Sequence, residues 1–442
     1  MMEKALYNYL GLPLGLLGFR VYSLFNEKAG RAFTVRKDLF KSLSSELANL
    51  SPGKRVLIHI SSVGEYFQAR PIARLISRQF PRLNICLSFF SPSVDKIMNQ
   101  GVEADLATYL PFDQKKSAQK FLDLLKPDLI IFSCYDLWPN LIWEAKRRGI
   151  RVALINANLA ENSGKLNPLV RWWFKRIYQE LDLILSASEQ DRKMIAGLGI
   201  NENEIFTTGN ARFDETLNRI RTIPEDDDLL NLLRSWKKGR CLVFGSTWPE
   251  DNEVIVPALG KLWRAGKDFK VIIAPHEPGS RKLERLKEKF FRIGVKPVFL
   301  WEYQTRRQGT APDSRVIIID STGKLYKLYQ LAEIAFVGGS FRKEVHNVME
   351  PAGFSVPVLF GPMIKNSLEA QELVKRKGGF VVRDSDQLGE QLRLFLDQEE
   401  KRLEAGRQAY QLVLDHQGAG EKILGLLAKN FPEVFEAGGG GQ

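Results

Sequence analysis

Three cysteines, Cys86, Cys134 and Cys241, are all that the 442 residues contain. They lie far apart, make no CxxC pair and fall in or beside apolar runs. That excludes a disulfide framework and a cysteine zinc site, and it fits a reducing compartment. Histidine is nearly as scarce, with four copies and no HExxH pair, so a metal-centred enzyme is not expected. The apolar stretch near the amino terminus, Leu10–Phe19, contains Pro13 and stops at Arg20. It falls short of the roughly 20 residues a spanning helix needs. No small-residue cleavage site follows it, which argues against a secretory signal. Repeats of solenoid period are also missing.

What is present has the balance of a globular chain, 44% apolar and 26% charged, and its length suits two or three domains. Lys and Arg number 64 against 52 Asp and Glu, a net charge of +12 that favours anionic partners. Nucleic acid is disfavoured among these. The positive charge is dispersed, and no aromatic stacking platform interleaves with it. Behind the apolar wedge come Lys28, Arg31, Arg36, Lys37 and Lys41 against Glu27 and Asp38. An apolar wedge with a basic skirt suits a segment lying in an anionic membrane interface, assigned here to residues 1–45. The alternative is an amphipathic helix packed on the protein's own body.

From Arg55 onward, short apolar runs alternate with helical patterns. The runs are RVLIHI (55–60), NICLSFF (84–90), DLIIFS (128–133), RVALIN (151–156) and DLILSAS (182–188). After a polar connector they resume as CLVFG (241–245), KVIIA (270–274), RVIIID (315–320), EIAFVGG (333–339), VPVLFG (356–361) and GFVV (379–382). Near-continuous apolar strands between helices predict parallel sheets covered on both faces, an α/β chain with two doubly wound, Rossmann-like domains. The expected boundaries are 46–213 and 240–436, with a linker at 214–239, an exposed loop at 305–315 and a disordered tail at 437–442. Such domains bind ligands beyond the carboxyl ends of their strands, facing a shared cleft.

The loops after those strands hold the unusual residues. SSVGE (61–65) follows the first run, and Glu65 is there either as a first-turn helix charge or as a general base. In CYDLWPN (134–140), Asp136 either caps a helix or orients a substrate. The glycine and hydroxyl loops GST (245–247), STGK (321–324) and GGS (338–340) let backbone N–H groups approach a phosphate. STGK is not a P-loop, because the position that needs glycine is Ile318. HNVMEP (346–351) opens a helix, and Glu350 could accept hydrogen bonds from ribose hydroxyls, with a capping Asn347 on a surface helix as the bland alternative. His276 in APHEP stands at another strand end, structural or functional.

In their order and spacing these segments resemble the Kdo transferases, enzymes that move 3-deoxy-D-manno-octulosonic acid from CMP-Kdo onto lipid A precursors. The series is SSVGE, DLWPN, INANLAENS (155–163), SEQDRKMIAGLG (188–199), TGNARFD (208–214), GSTWPEDNE (245–253), AFVGGS (335–340), HNVMEP and PVLFGP (357–362), spanning about 55–365. The resemblance implies a GT-B architecture, an acceptor-binding amino-terminal half, a CMP-Kdo-binding carboxy-terminal half and a short amino-terminal membrane anchor. It implies Glu65 as base of an inverting displacement, supported by Asp136 and Arg212, with no metal or cofactor beyond the donor substrate. Donor contacts would fall on Pro275, His276, Thr322, Gly323, Lys324, Gly339, Ser340, Asn347, Val348, Met349 and Glu350. The implied location is the cytoplasmic face of a bacterial inner membrane.

The chain departs from the family pattern at several of these positions. Pro275-His276 replaces Pro-Arg, Thr322-Gly323-Lys324 replaces Met-Gly-Glu, Cys134 replaces a Glu, and Arg212 replaces a Lys. The rival expectations are another GT-B glycosyltransferase, an epimerase-like hydrolase of the same fold, and a non-catalytic binder of lipid A or a nucleotide sugar.

Overall fold

The apolar runs are parallel strands, and three shorter strands join them at the sheet margins. The computed structural model describes residues 2–159, 163–305 and 314–436. The first sheet contains β1 (Arg55–Ile60), β2 (Asn84–Phe89), β3 (Leu106–Tyr109), β4 (Leu129–Ser133), β5 (Arg151–Ala157), β6 (Leu183–Ser186) and β7 (Ile205–Thr207). Its order is β3-β2-β1-β4-β5-β6-β7, parallel throughout. The second contains β8 (Cys241–Thr247), β9 (Lys270–Pro275), β10 (Val298–Phe299), β11 (Val316–Ile318), β12 (Ile334–Val337), β13 (Val358–Phe360) and β14 (Gly379–Val381). It runs β10-β11-β9-β8-β12-β13-β14, again parallel.

The first order reverses at β1/β4 and the second at β8/β12, with β10 and β11 exchanged at the margin of the second sheet. Ligands of open parallel sheets bind outside the carboxyl ends of the strands at such a reversal. The loops there are SSVGE and CYDLWPN in the first sheet, and GST and GGS in the second.

The chain divides into a unit of Met1–Glu215 with His416–Gln442 and a unit of Thr216–Asp415. This corrects two expected boundaries. The stretch 214–239 is not a bare connector, since helices Arg212–Arg221 and Asp228–Lys237 occupy most of it. Leu229, Leu230, Leu233 and Trp236 recur at helical spacing and are buried, which a reading of its charge alone overlooks. The second unit also ends at Asp415 rather than 436. Helix Ala419–Asn430 brings Ile423, Leu424 and Leu427 into the cluster that holds Val56, Ile58 and Ile60 of β1. Asp214 fixes the return by accepting from the backbone N–H of Gly418 and Gly420. The expected tail at 437–442, most of the 305–315 loop and residues 160–162 lie outside the described residues.

The amino-terminal segment is helical at Met2–Leu6 and Leu12–Ser23, with a π turn at Tyr7–Gly11 between them, and again at Glu27–Thr34 and Leu39–Leu47. One side is pinned to the first unit. Tyr7 donates to Asp113 at 2.9 Å, stacks on Trp173 at 5.4 Å, and precedes Asn8, which bonds Asn140. Leu14, Leu17 and Val21 stay 60%, 61% and 50% exposed, so the segment packs on its own body and still presents aliphatic side chains to solvent. Among the described residues, no helix is long and apolar enough to cross a membrane.

Candidate functional site

Two constellations occupy the two reversal points. In the first unit, β1 ends at Ile60 and helix Val63–Gln79 begins two residues later, with Ser62 as its N-cap. Glu65 is the third helical residue, the position from which an acidic side chain folds back onto the cap. It does so one residue further back, its Oε2 accepting from the Ser61 backbone N–H at 2.6 Å. Both open readings of Glu65 therefore describe one geometry: a first-turn carboxylate, 6% exposed, at the carboxyl end of β1. Burial pushes its pKa up to about 7, and the nearby charge of Asp136 adds to the rise.

Asp136 reaches this point from the end of β4. Cys134 has φ +74, a left-handed conformation costly for a residue with a Cβ, and it turns Tyr135 and Asp136 out of the strand direction. The Ser61 hydroxyl then donates to Asp136 Oδ2. Cys134 is buried, its thiol donates to Gln68 at 2.8 Å, and burial pushes its pKa up, so it packs as an inert group. Arg212 opens helix Arg212–Arg221 and lies close enough to Cys134 to act on it electrostatically. Lys165 donates to the Tyr135 carbonyl at 2.7 Å and feels the charge of Asp136. Two carboxylates and two cations thus gather at β1/β4.

In the second unit, Asp251 joins the two loops at β8/β12. It is fully buried, and its Oδ2 accepts from the N–H of Trp248 and of Gly339, both at 2.8 Å. Gly339 has φ +101, and a Cβ there would lie 2.3 Å from the Glu344 carbonyl oxygen, so only glycine suits the turn. Beside this junction lies an aromatic stack. His276 and His346 are 4.1 Å apart and nearly parallel, and Trp248 stacks on His276 at 5.0 Å. The Trp248 indole N–H donates to His346 Nε2 at 2.8 Å, which fixes the tautomer of that ring. Burial, then the neighbouring His276, lowers the His346 pKa to about 4. Arg342 lies over the Trp248 ring at 4.0 Å and Lys282 at 5.1 Å. A flat face edged by cations and imidazole donors suits a planar anionic ligand.

The remaining residues expected at a donor site divide by what their side chains do. Glu350 pairs with Arg219 at 2.9 Å, and the Arg219 guanidinium stacks on Tyr326. Thr322 and Gly323 sit exposed in the loop after β11, Gly323 with φ +87, and Lys324 starts the next helix. Asn347 accepts from the Met349 N–H at 3.2 Å, a local cap. Ser340 is fully buried, its hydroxyl accepting from the Gly361 N–H at 2.6 Å, and Val348 and Met349 are buried too. These three shape the loop from within. Pro275 ends β9 and delivers His276 to the stack. Ser61, Trp248, Asp251, Arg219 and Arg342 were not singled out from the sequence. Ser61 lies within SSVGE, and Trp248 and Asp251 lie within GSTWPEDNE, so their segments stood out while these members did not.

Residues 30–215 match the family described as 3-deoxy-D-manno-octulosonic-acid transferase (kdotransferase). That span holds Glu65, Asp136 and Arg212. A 3-deoxy-D-manno-octulosonic acid transferase of Haemophilus influenzae is 28% identical over 392 residues, 86% of this chain and 88% of that protein. One of Rickettsia bellii is 28% identical over 385 residues, 85% and 88% of the two chains. Among solved structures, UDP-GlcNAc 2-epimerase from Neisseria meningitidis, bound to UDP-GlcNAc, superposes with a TM-score of 0.62 at 14% identity, over 85% of this chain and 100% of that one. Fold and relatives together define a glycosyltransferase of the GT-B class. Within that class, residues 30–215 match the Kdo transferase family, and relatives that align over most of the chain are Kdo transferases at 28% identity.

Proposed function

We propose that the protein transfers Kdo from CMP-Kdo to a lipid A precursor, lipid IVA, during lipopolysaccharide inner-core synthesis. The observation that carries this reading is Glu65, a carboxylate with a pKa of about 7 placed at the β1/β4 reversal. An acceptor hydroxyl attacks the anomeric carbon of Kdo and gives its proton to Glu65. The new C–O bond forms as the bond to the CMP phosphate breaks, CMP departs from the opposite face, and configuration inverts. A single displacement uses one base and no carboxylate nucleophile. Arg212 and Lys165 offer positive charge for acceptor phosphates or the Kdo carboxylate.

The donor goes to the second unit in this reading. Its cytosine and phosphate take the face of Trp248 and His276 with Arg342 and Lys282 around it, and Glu350 the ribose. The displacement needs no metal or further cofactor. A pure binder of lipid A or nucleotide sugar has no use for a base tuned to neutrality, which favours the enzyme. The test is a transfer assay with freshly generated CMP-Kdo and tetraacylated, bisphosphorylated lipid A precursor. The product should gain the mass of one or more Kdo units; no gain by protein that still binds CMP would replace the acceptor, and no CMP binding would end the transferase reading.

The acceptor's acyl chains place the reaction at a membrane, on this reading the cytoplasmic face of the inner membrane. Leu14, Leu17 and Val21 with the basic residues behind them supply the contact. Replacing all three by Gln should abolish co-sedimentation with vesicles containing anionic phospholipid while the thermal midpoint stays put, since none is buried. Retained sedimentation would move the anchor elsewhere.

A further inference from the structure

We propose that Ser61 is the positioning residue of the carboxylate pair, holding Asp136 beside Glu65 through a hydroxyl that His59 orients from beneath. The proposal deepens the assignment of Glu65 as base and rests on it. Ser61 follows β1 directly, is buried, and gives both of its donors to carboxylates, while its carbonyl accepts from the Ser91 N–H. Its backbone N–H donates to Glu65 Oε2 and its hydroxyl to Asp136 Oδ2.

Beneath Ser61 lies His59, 1% exposed, with Phe132 and Trp138 edge-on to its ring. Its Nε2 is 3.4 Å from Ser61 Oγ, and its Nδ1 is 3.0 Å from Ser88 Oγ on β2. Counting protons orders the chain. The Asp136 carboxylate only accepts, so Ser61 commits its one hydroxyl proton there, and Ser61 Oγ must then accept from His59 Nε2–H. Nδ1 is left to accept from the Ser88 hydroxyl. Burial, with Arg36 nearby, pushes the His59 pKa down to about 3, so the ring stays neutral and the order persists across the working pH range.

The function of this chain is to keep two like charges together. Left to themselves, neighbouring carboxylates separate or take up a proton. Burial raises the pKa of Glu65 and the charge of Asp136 adds to the rise, so the Ser61 hydroxyl contributes to how basic Glu65 is. The other groups acting here are Cys134 and Tyr135 from the loop after β4, Arg212, which acts on Cys134, and Lys165, which acts on Asp136.

The experiment measures the pH dependence of transfer by full-length Ser61→Ala, Ser61→Thr and Ser88→Ala. Ser61→Ala should lower kcat on the order of 10²-fold, the usual cost of a misplaced catalytic group, with KM for CMP-Kdo unchanged. Its acidic limb should move to lower pH, because Glu65 loses its like-charged neighbour. Ser61→Thr keeps the hydroxyl and should restore most of the rate and the limb. Ser88→Ala touches neither carboxylate and should shift the limb in the same direction by less. A loss of packing alone would reduce active protein and leave the limb in place. Wild-type kcat and limb in Ser61→Ala, with Glu65→Gln inactive, overturns the positioning role alone. An active Glu65→Gln overturns the base and this proposal with it.

Discussion

Glu65→Gln should lose 10²- to 10⁴-fold in kcat, the usual worth of a general base, while CMP binds as tightly as before. The amide keeps the size of the side chain and an oxygen that can accept from the Ser61 N–H, so the helix start survives. What it lacks is the capacity to take a proton. In the wild type, a base with a pKa of about 7 makes kcat/KM fall tenfold per pH unit below neutrality and level off above it. The sign follows from the working form: the carboxylate is the active species, so activity disappears as pH falls through that value. Glu65→Gln should have a residual rate without this limb. Turnover equal to wild type would remove Glu65 from the mechanism.

The second large effect is expected at Asp251. Asp251→Ala leaves the N–H groups of Trp248 and Gly339 buried without their acceptor. Each stranded donor costs about 1–3 kcal/mol. For a unit of this size the sum lowers the thermal midpoint by on the order of 10 °C. CMP affinity should collapse as well, because the same carboxylate holds both loops and the Trp248 ring. Asp251→Asn keeps one accepting oxygen and should fall between the two. A melting curve and a CMP titration decide the matter: Asp251→Ala indistinguishable from wild type in both would show that the loops hold their shape without it.

The strands legible in the sequence and those that were not differ for a physical reason. Eleven apolar runs were read as strands, and the three overlooked ones, β3, β7 and β10, are all at sheet edges. An edge strand has one neighbour and needs less apolar surface; β10 is two residues long, and Phe206 and Thr207 of β7 are exposed. The helices at 212–237 were hidden because their charged faces dominate the composition while the buried face is narrow. The return of 416–436 to the first unit has no local signal at all. It shows only in contacts such as Asp214 with Gly418, 204 residues apart.

The site divides in a similar way. Glu65, Asp136 and His276 stand out in the sequence because strand ends are special places in this fold. Ser61, Asp251 and Trp248 act through partners 75, 88 and 98 residues away, and their residue types are ordinary for caps and turns. Ser340, Val348 and Met349 stand in a conspicuous motif, yet their side chains face inward. A motif marks the loop; burial decides which of its members can touch a ligand.

The closing helices also order events during synthesis. Thr216–Asp415 is continuous, so its core draws on no residue made after Asp415. The first unit begins earlier and finishes later. Its cluster around Val56 and Ile58 stays open along one side until Ile423, Leu424, Leu427 and Phe431 have left the exit tunnel. A chain cut before His416 therefore keeps every residue of the second unit and leaves apolar surface bare in the unit that carries Glu65.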